Sequence, residues 1–282
     1  MKQKGIIYIL LSALFFSIMA ASVKSVPDLP LSEKIFFRNF VGLVAVFFTV
    51  VRMKIPLKVH NPRLMLMRAL LGLTGVGLYY AALELLPLAD AVILNKLSPF
   101  FVMIFASFFL KEKIGKYQKL ALVIGVLGAL LVIKPTFDVS ILPALLALLS
   151  AAFAGAAYTV IRKLTEYDQP TVIVFYFCLI SSVVLVPFMV IEGFVVPNFK
   201  ELLGLLSIGI SALLAQLFMT NAYKYAPASE LSVYTYVNIV FSALWGFLLW
   251  TEIPDFISII GGLLIISAAF VNYFSKRMKT VK

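Results

Sequence analysis

The segment YYAALELLPLADAVIL at 79–94 closes one apolar run, turns at Pro87 and opens another. A second segment on the same plan, TNAYKYAPASELSVYT, occupies 220–235. A shift of 140 residues lays Ala82, Pro87 and Glu112 over Ala222, Pro227 and Glu252. A shift of 138 lays Ser12, Ala13 and Phe15 over Ser150, Ala151 and Phe153, with Lys24 over Arg162. Proline has no N–H to continue a helix, so each segment reads as a tight turn between long apolar helices. The chain therefore carries one plan twice, and the halves fall at 1–137 and 138–282.

Working outward from these turns, ten apolar runs emerge, at 5–24, 32–51, 63–83, 89–110, 117–134, 140–161, 170–191, 201–223, 229–250 and 255–275. Each is close to the ~20 residues a helix needs to cross a hydrocarbon layer of ~30 Å. Of the 282 residues, 62% are apolar and 13% charged, about half the charged share of a soluble domain. Mean hydropathy is +1.05. That balance excludes a soluble enzyme, a nucleic-acid binder and a disordered scaffold. The first run is too long for a cleavable signal and lacks a small-residue cleavage site, so it reads as a permanent helix.

Basic residues set the orientation. Seventeen of the 24 lysines and arginines fall in alternate loops or at the termini, whereas Lys24, Lys34, Lys134 and Lys200 lie on the opposite side. Both termini are thus expected in the cytoplasm, in a multi-pass protein of the plasma membrane. The +11 net charge reads as membrane orientation, with no nucleic-acid partner. Five runs per half is an odd number, so the second copy enters the bilayer from the other side. The expected fold is all-α, ten transmembrane helices in two inverted five-helix repeats, with a substrate site near the midplane.

Raw material for catalysis is scarce. Cys178 and His60 are single, so a disulfide, a zinc cluster or a histidine-based acid–base pair has little to work with. No phosphate loop, H-E-x-x-H or G-x-S-x-G motif is present. No cofactor, metal or catalytic residue is expected.

Three basic groups, Arg38, Arg68 and Lys96, lie inside apolar runs, where ionisable groups are costly. Lys96, in NKLSPFF beside Asn95, stands roughly 10 Å inside the fourth helix, and Pro99 is placed to kink that helix and free a carbonyl. Its ammonium suits a substrate carboxylate or phosphate; the competing reading is a snorkelled lysine or a pair with Glu84. Arg38 either grips a substrate carboxylate in a fork or locks to Glu33 or Glu84. Arg68 reads as an anchor snorkelling to the cytoplasmic side. Glu84 shares a face with Tyr80 and either meets a substrate ammonium or proton or caps its helix. Glu230, mirroring Asp90, reads as a helix-start carboxylate. Gln216, Thr220 and Tyr223 share one face of the eighth helix, and Tyr234, Asn238, Ser242 and Trp245 one face of the ninth. These stripes either line a cavity or hydrogen-bond helix to helix.

The order of these marks resembles the drug/metabolite transporter superfamily, specifically its EamA-type exporters. The marks are the openings SALFFSIMAASVK and SAAFAGAAYTVIRK, the alanine–proline turns, and the glutamates of FFLKEKI and LLWTEIP. Phe15 and Phe153 depart from the tryptophan many members carry there. The resemblance implies a basket of helices one to four and six to nine, with five and ten peripheral and available for a homodimer. It also implies secondary transport of a small metabolite by alternating access, most simply export. Cations on one side and aromatics with amides on the other suit an amino acid or derivative. The expected substrate-binding set is Lys96, Arg38, Tyr80, Glu84, Asn95, Gln216, Thr220, Tyr234 and Asn238. The alternatives are S-adenosylmethionine-type uptake or exchange and an intramembrane enzyme.

Overall fold

The structure is a computed structural model. It describes residues 2–109, 111, 114–134, 141–225 and 231–280, apart from the side chains of 2, 162, 220, 223, 224, 232, 233 and 275–280. The helices are α1 Lys2–Lys24, α2 Leu31–Met53, α3 Pro62–Leu85, α4 Leu88–Asn95, α5 Ser98–Phe109, α6 Lys116–Ile133, α7 Leu142–Leu164, α8 Pro170–Glu192, α9 Phe199–Tyr225, α10 Val237–Trp250 and α11 Phe256–Thr280. A 3-10 turn, Ser232–Tyr236, leads into α10. Nine described segments are long and apolar enough to cross a bilayer, with α4 and α5 forming one of them; a tenth, Tyr234–Trp250, is apolar but shorter.

Local chemistry sets several helix ends. The Asn61 side chain accepts the Leu64 amide ahead of α3, with Pro62 at its first position, and the Asp255 carboxylate accepts the amides of Ile257 and Ser258 ahead of α11. Such caps satisfy N–H groups that have no partner inside the helix. At the other ends, α2, α6 and α10 stop on left-handed residues, Lys54, Lys134 and Thr251.

The fourth helix is interrupted between α4 and α5. Pro99 cannot donate to the Asn95 carbonyl, and the Phe100 amide turns to Leu97 instead of completing a regular bond to Lys96. The carbonyls of Asn95 and Lys96 thus lose their regular helical donors beside the Lys96 side chain. The ninth helix breaks at the same point of the repeat, where the 3-10 turn ends at Tyr236.

Packing follows a pseudo-twofold scheme. Helix α1 lies against α9 as α3 lies against α7; α10 meets α1 as α5 meets α7; α9 meets α2 as α3 meets α8. Helices α6 and α11 pack on each other at the edge of the bundle. A Cβ on Gly128 would stand 2.7 Å from the Gly261 carbonyl, and one on Gly261 2.6 Å from the Gly128 carbonyl, so the two backbones touch. Small residues that let backbones touch are the usual packing device in lipid, and here they join α6 to α11 within one chain. Large apolar side chains point outward, among them Phe47, Phe48, Val123, Val126 and Leu127, as a lipid-facing surface requires.

Candidate functional site

Two regions hold basic groups inside the bundle that have no acid partner among the described residues. The first surrounds the break in the fourth helix. Lys96 is half-buried there, and among the described residues no hydrogen bond or ion pair involves its ammonium. Its freed carbonyl accepts the Tyr236 hydroxyl across a long 3.4 Å. Lys96 and Tyr236 occupy the same position in the two copies, so the repeat axis brings a cation and a phenol to one point. Asn95 next door donates to Ser150 Oγ at 3.0 Å, and Ser150 donates to the Ala147 carbonyl at 2.7 Å. This chain of bonds fixes α4 against α7 and sets the direction of the break.

The second region lies between α2, α3 and α8. Arg38 lies within electrostatic reach of Tyr79, Tyr80, Cys178 and Arg68. The Tyr80 ring is buried at 1% exposure, and its hydroxyl has no partner. Arg68 does not snorkel. A helical side chain normally leans toward its helix N-terminus, but the Arg68 guanidinium runs the other way, over Gly72, and stacks 4.1 Å from the Phe177 ring. The reason is steric: a Cβ on residue 72 would stand 2.1 Å from Arg68 Nη1, so glycine leaves the room the guanidinium fills.

The remaining expected site residues disperse. Glu84 pairs at 2.5 Å with Lys34, not with Lys96 or Arg38, because Lys34 is wholly buried and needs the opposite charge. Glu33 accepts the Val195 amide at 2.7 Å, so it does not lock Arg38 either. Asn238 donates to the Ala13 carbonyl at 2.8 Å, and Trp245 donates to Ser17 Oγ at 3.1 Å. Asn238 and Trp245 are therefore engaged with α1 as helix-to-helix hydrogen bonding, while the buried Ser242 hydroxyl between them has no partner among the described residues. Tyr234 packs on a small cluster of Ile9, Ala222 and Leu231. Gln216 is exposed on α9, and the Thr220 and Tyr223 side chains, with Glu112, Pro227 and Glu230, lie outside the described residues. Sequence reasoning missed Ser150 and the inward turn of Arg68. The R-x-x-x-G spacing of Arg68 and Gly72 was the available signal for the second.

At the end of the bundle away from the termini, polar staples join the elements. Lys24 pairs with Glu252 and donates to the Leu86 carbonyl at 2.6 Å, while Glu252 Oε2 accepts the Leu88 amide at 2.8 Å. Lys134 pairs with Asp255, and Ser32 donates to Glu192 at 2.6 Å. At the opposite end, His60 Nδ1 meets Asp168 Oδ1 at 2.7 Å. Among the described residues no group of three or more His, Cys, Asp or Glu side chains is arranged to hold a metal ion.

Comparison with known proteins agrees with this architecture. The EamA-like transporter family matches twice, over residues 3–134 and 141–274. The chain is 37% identical over 278 residues to the pseudopaline exporter of Pseudomonas aeruginosa, covering 98% of both chains. It is 28% identical to an S-adenosylmethionine uptake transporter of Rickettsia prowazekii, covering 89% of this chain and 85% of that one. A solved structure with 19% identity superposes with a TM-score of 0.69, covering 96% of this chain and 97% of that one. Two tandem matches spanning nearly all of the sequence, on an all-helical multi-pass fold, place this chain in the EamA-like transporter family, whose members move small metabolites across membranes and are not enzymes.

Proposed function

We propose that this transporter exports a small anionic or zwitterionic metabolite, an amino acid or derivative, from the cytoplasm across the plasma membrane by alternating access between two inverted repeats, 1–137 and 138–282. The observation that carries the substrate class is Lys96: an ammonium at a helix break, inside the bundle, with no counter-charge among the described residues. An unpaired cation at that depth is costly and becomes favourable when a substrate carboxylate reaches it. A stripped cation would be repelled. The export direction is supported by the 37% identical relative, named an exporter. A homodimer through α6 and α11 would use their outward faces.

The test is flux into inside-out vesicles, with pseudopaline and labelled amino acids as first probes. Lys96→Met keeps the volume and removes the charge. A charge-assisted hydrogen bond is worth about 1.5–3 kcal/mol, so flux of a carboxylate-bearing substrate should fall roughly 10- to 100-fold. Unchanged flux in a protein that unfolds at the wild-type temperature refutes the role of Lys96.

A further inference from the structure

Arg38 and Arg68 are two cations in electrostatic reach of one another, with no acid partner among the described residues. Gly72 marks the height of the Arg68 guanidinium, roughly 15 Å along α3 from its start, near the middle of a ~30 Å hydrocarbon layer. Among the described residues twelve buried side-chain atoms lack a hydrogen-bond partner, and seven of them fall in this one region: Arg38 Nε, Asn39 Oδ1, Arg68 Nε and Nη1, Tyr80 Oη, and the hydroxyls of Ser181 and Ser182. The register explains the convergence. A Cβ on Gly42 would stand 3.3 Å from Cys178 Sγ, and α2 and α8 run antiparallel, so Ser181 and Ser182 lie level with Asn39 and Arg38. Buried donors are ordinarily satisfied, and like charges in lipid repel strongly. Phe177 stacking on Arg68 accounts for one face of one guanidinium and leaves its edge unfilled.

We infer that Arg38 and Arg68 form a second anion site, separate from Lys96, and that the substrate carries at least two carboxylates. This rests on the proposed transport reading, in which Lys96 holds the first. The spacing follows from α7: Ser150 is bonded to Asn95, beside Lys96, and a Cβ on Gly75 would stand 3.2 Å from the Ala154 amide. Helices α3 and α7 run antiparallel, so Gly72, beside the Arg68 guanidinium, lies level with about residue 157, and the two anchors stand roughly 10 Å apart along the helix axis. The occupant is a dicarboxylate of that span, each guanidinium presenting a fork that fits a carboxylate edge.

The experiment uses the full chain in phosphatidylcholine nanodiscs and reads its thermal unfolding. The probes are linear α,ω-dicarboxylates from succinate to dodecanedioate, each beside the matching monocarboxylate at equal ionic strength. A ligand that binds only the native state raises the transition by mass action. Wild type should show a dicarboxylate advantage that peaks near decanedioate, the length that spans the two anchors. Arg68→Gln, Arg38→Gln and Gly72→Ala should reduce that advantage to the monocarboxylate level; the last keeps the charge and displaces the guanidinium. Arg68→Lys should restore part of it. In the unliganded protein Arg68→Gln should raise the transition, because it removes an uncompensated buried charge. A lowered unliganded transition, or dicarboxylates no better than monocarboxylates at every length, overturns the proposal. An arginine-dependent advantage that survives in Lys96→Met supports the arginine site and overturns Lys96 as the first anchor.

Discussion

The junction built on Glu252 allows a quantitative prediction. Its carboxylate joins three elements: Lys24 at the end of α1, the Leu88 amide at the start of α4, and its own connection between α10 and α11. The Lys24 and Glu252 side chains are 12% and 20% exposed, shielded enough for solvent to screen the pair weakly. Glu252→Gln keeps a carbonyl for the Leu88 amide and loses only the ion pair. Lys24→Met loses the ion pair and the bond to the Leu86 carbonyl. Removing one partner of a fully buried pair costs about 3–5 kcal/mol, and a charged hydrogen bond contributes about 1.5–3 kcal/mol. Partial exposure places each single substitution near 2–3 kcal/mol, at the lower end of those ranges. The double variant should then cost less than the sum of the singles by about 1–2 kcal/mol, the coupling expected of groups in one network. Thermal and denaturant unfolding of the four proteins in one lipid measures this directly. Additivity to within about 0.5 kcal/mol would show that the pair contributes nothing beyond its separate contacts.

Other outcomes follow from the same contacts. Asp255 is held well below its usual value, at about 2, first by its bond to Lys134 and then by the amides of Ser258 and Ile257. A depressed carboxylate stabilises the fold above its unfolded value and loses that contribution as pH falls, here from about 4 toward about 2. Asp255→Asn should flatten acid unfolding in that window, and the effect should be small because the pair is half-exposed. Asn238→Ala removes the bond from α10 to the Ala13 carbonyl, which keeps its own helical donor, and should cost about 0.5–1.5 kcal/mol in unfolding measurements while leaving substrate affinity unchanged. Gly128→Ala puts a Cβ 2.7 Å from the Gly261 carbonyl. Overpacking of about 1–3 kcal/mol should outweigh the ~1 kcal/mol that alanine gains over glycine in a helix, so unfolding should come earlier, not later.

The particular elements show how far the sequence could be read. The proline-marked segments at 79–94 and 220–235 and the five apolar runs of each half gave the helical, duplicated architecture, because each feature acts within one helix or one loop. Pro99 announced the break beside Lys96 for the same reason: a missing N–H is felt by the carbonyl one turn back. Tyr234, Gln216 and Asn238 were less legible. A polar stripe states only that a helix face needs partners, and on α10 those partners proved to be Ala13 and Ser17 of α1. Glu84 had two basic groups in prospect, Lys96 and Arg38, and the packing of α2 against α3 selected a third, Lys34.

What the sequence alone determined was the medium and the plan: a chain with this much apolar surface must lie in lipid, and lipid obliges each run to satisfy its backbone within a helix. Which charges are neutralised depends on the packing of the helices. Ion pairing depends on a few ångströms between side chains from helices far apart in the chain, and no periodicity encodes that distance. Lys24, Lys34 and Lys134 find acids across such gaps. Lys96, Arg38 and Arg68 find none among the described residues, and that difference between the two sets of cations is the physical ground of the ligand roles proposed for the second.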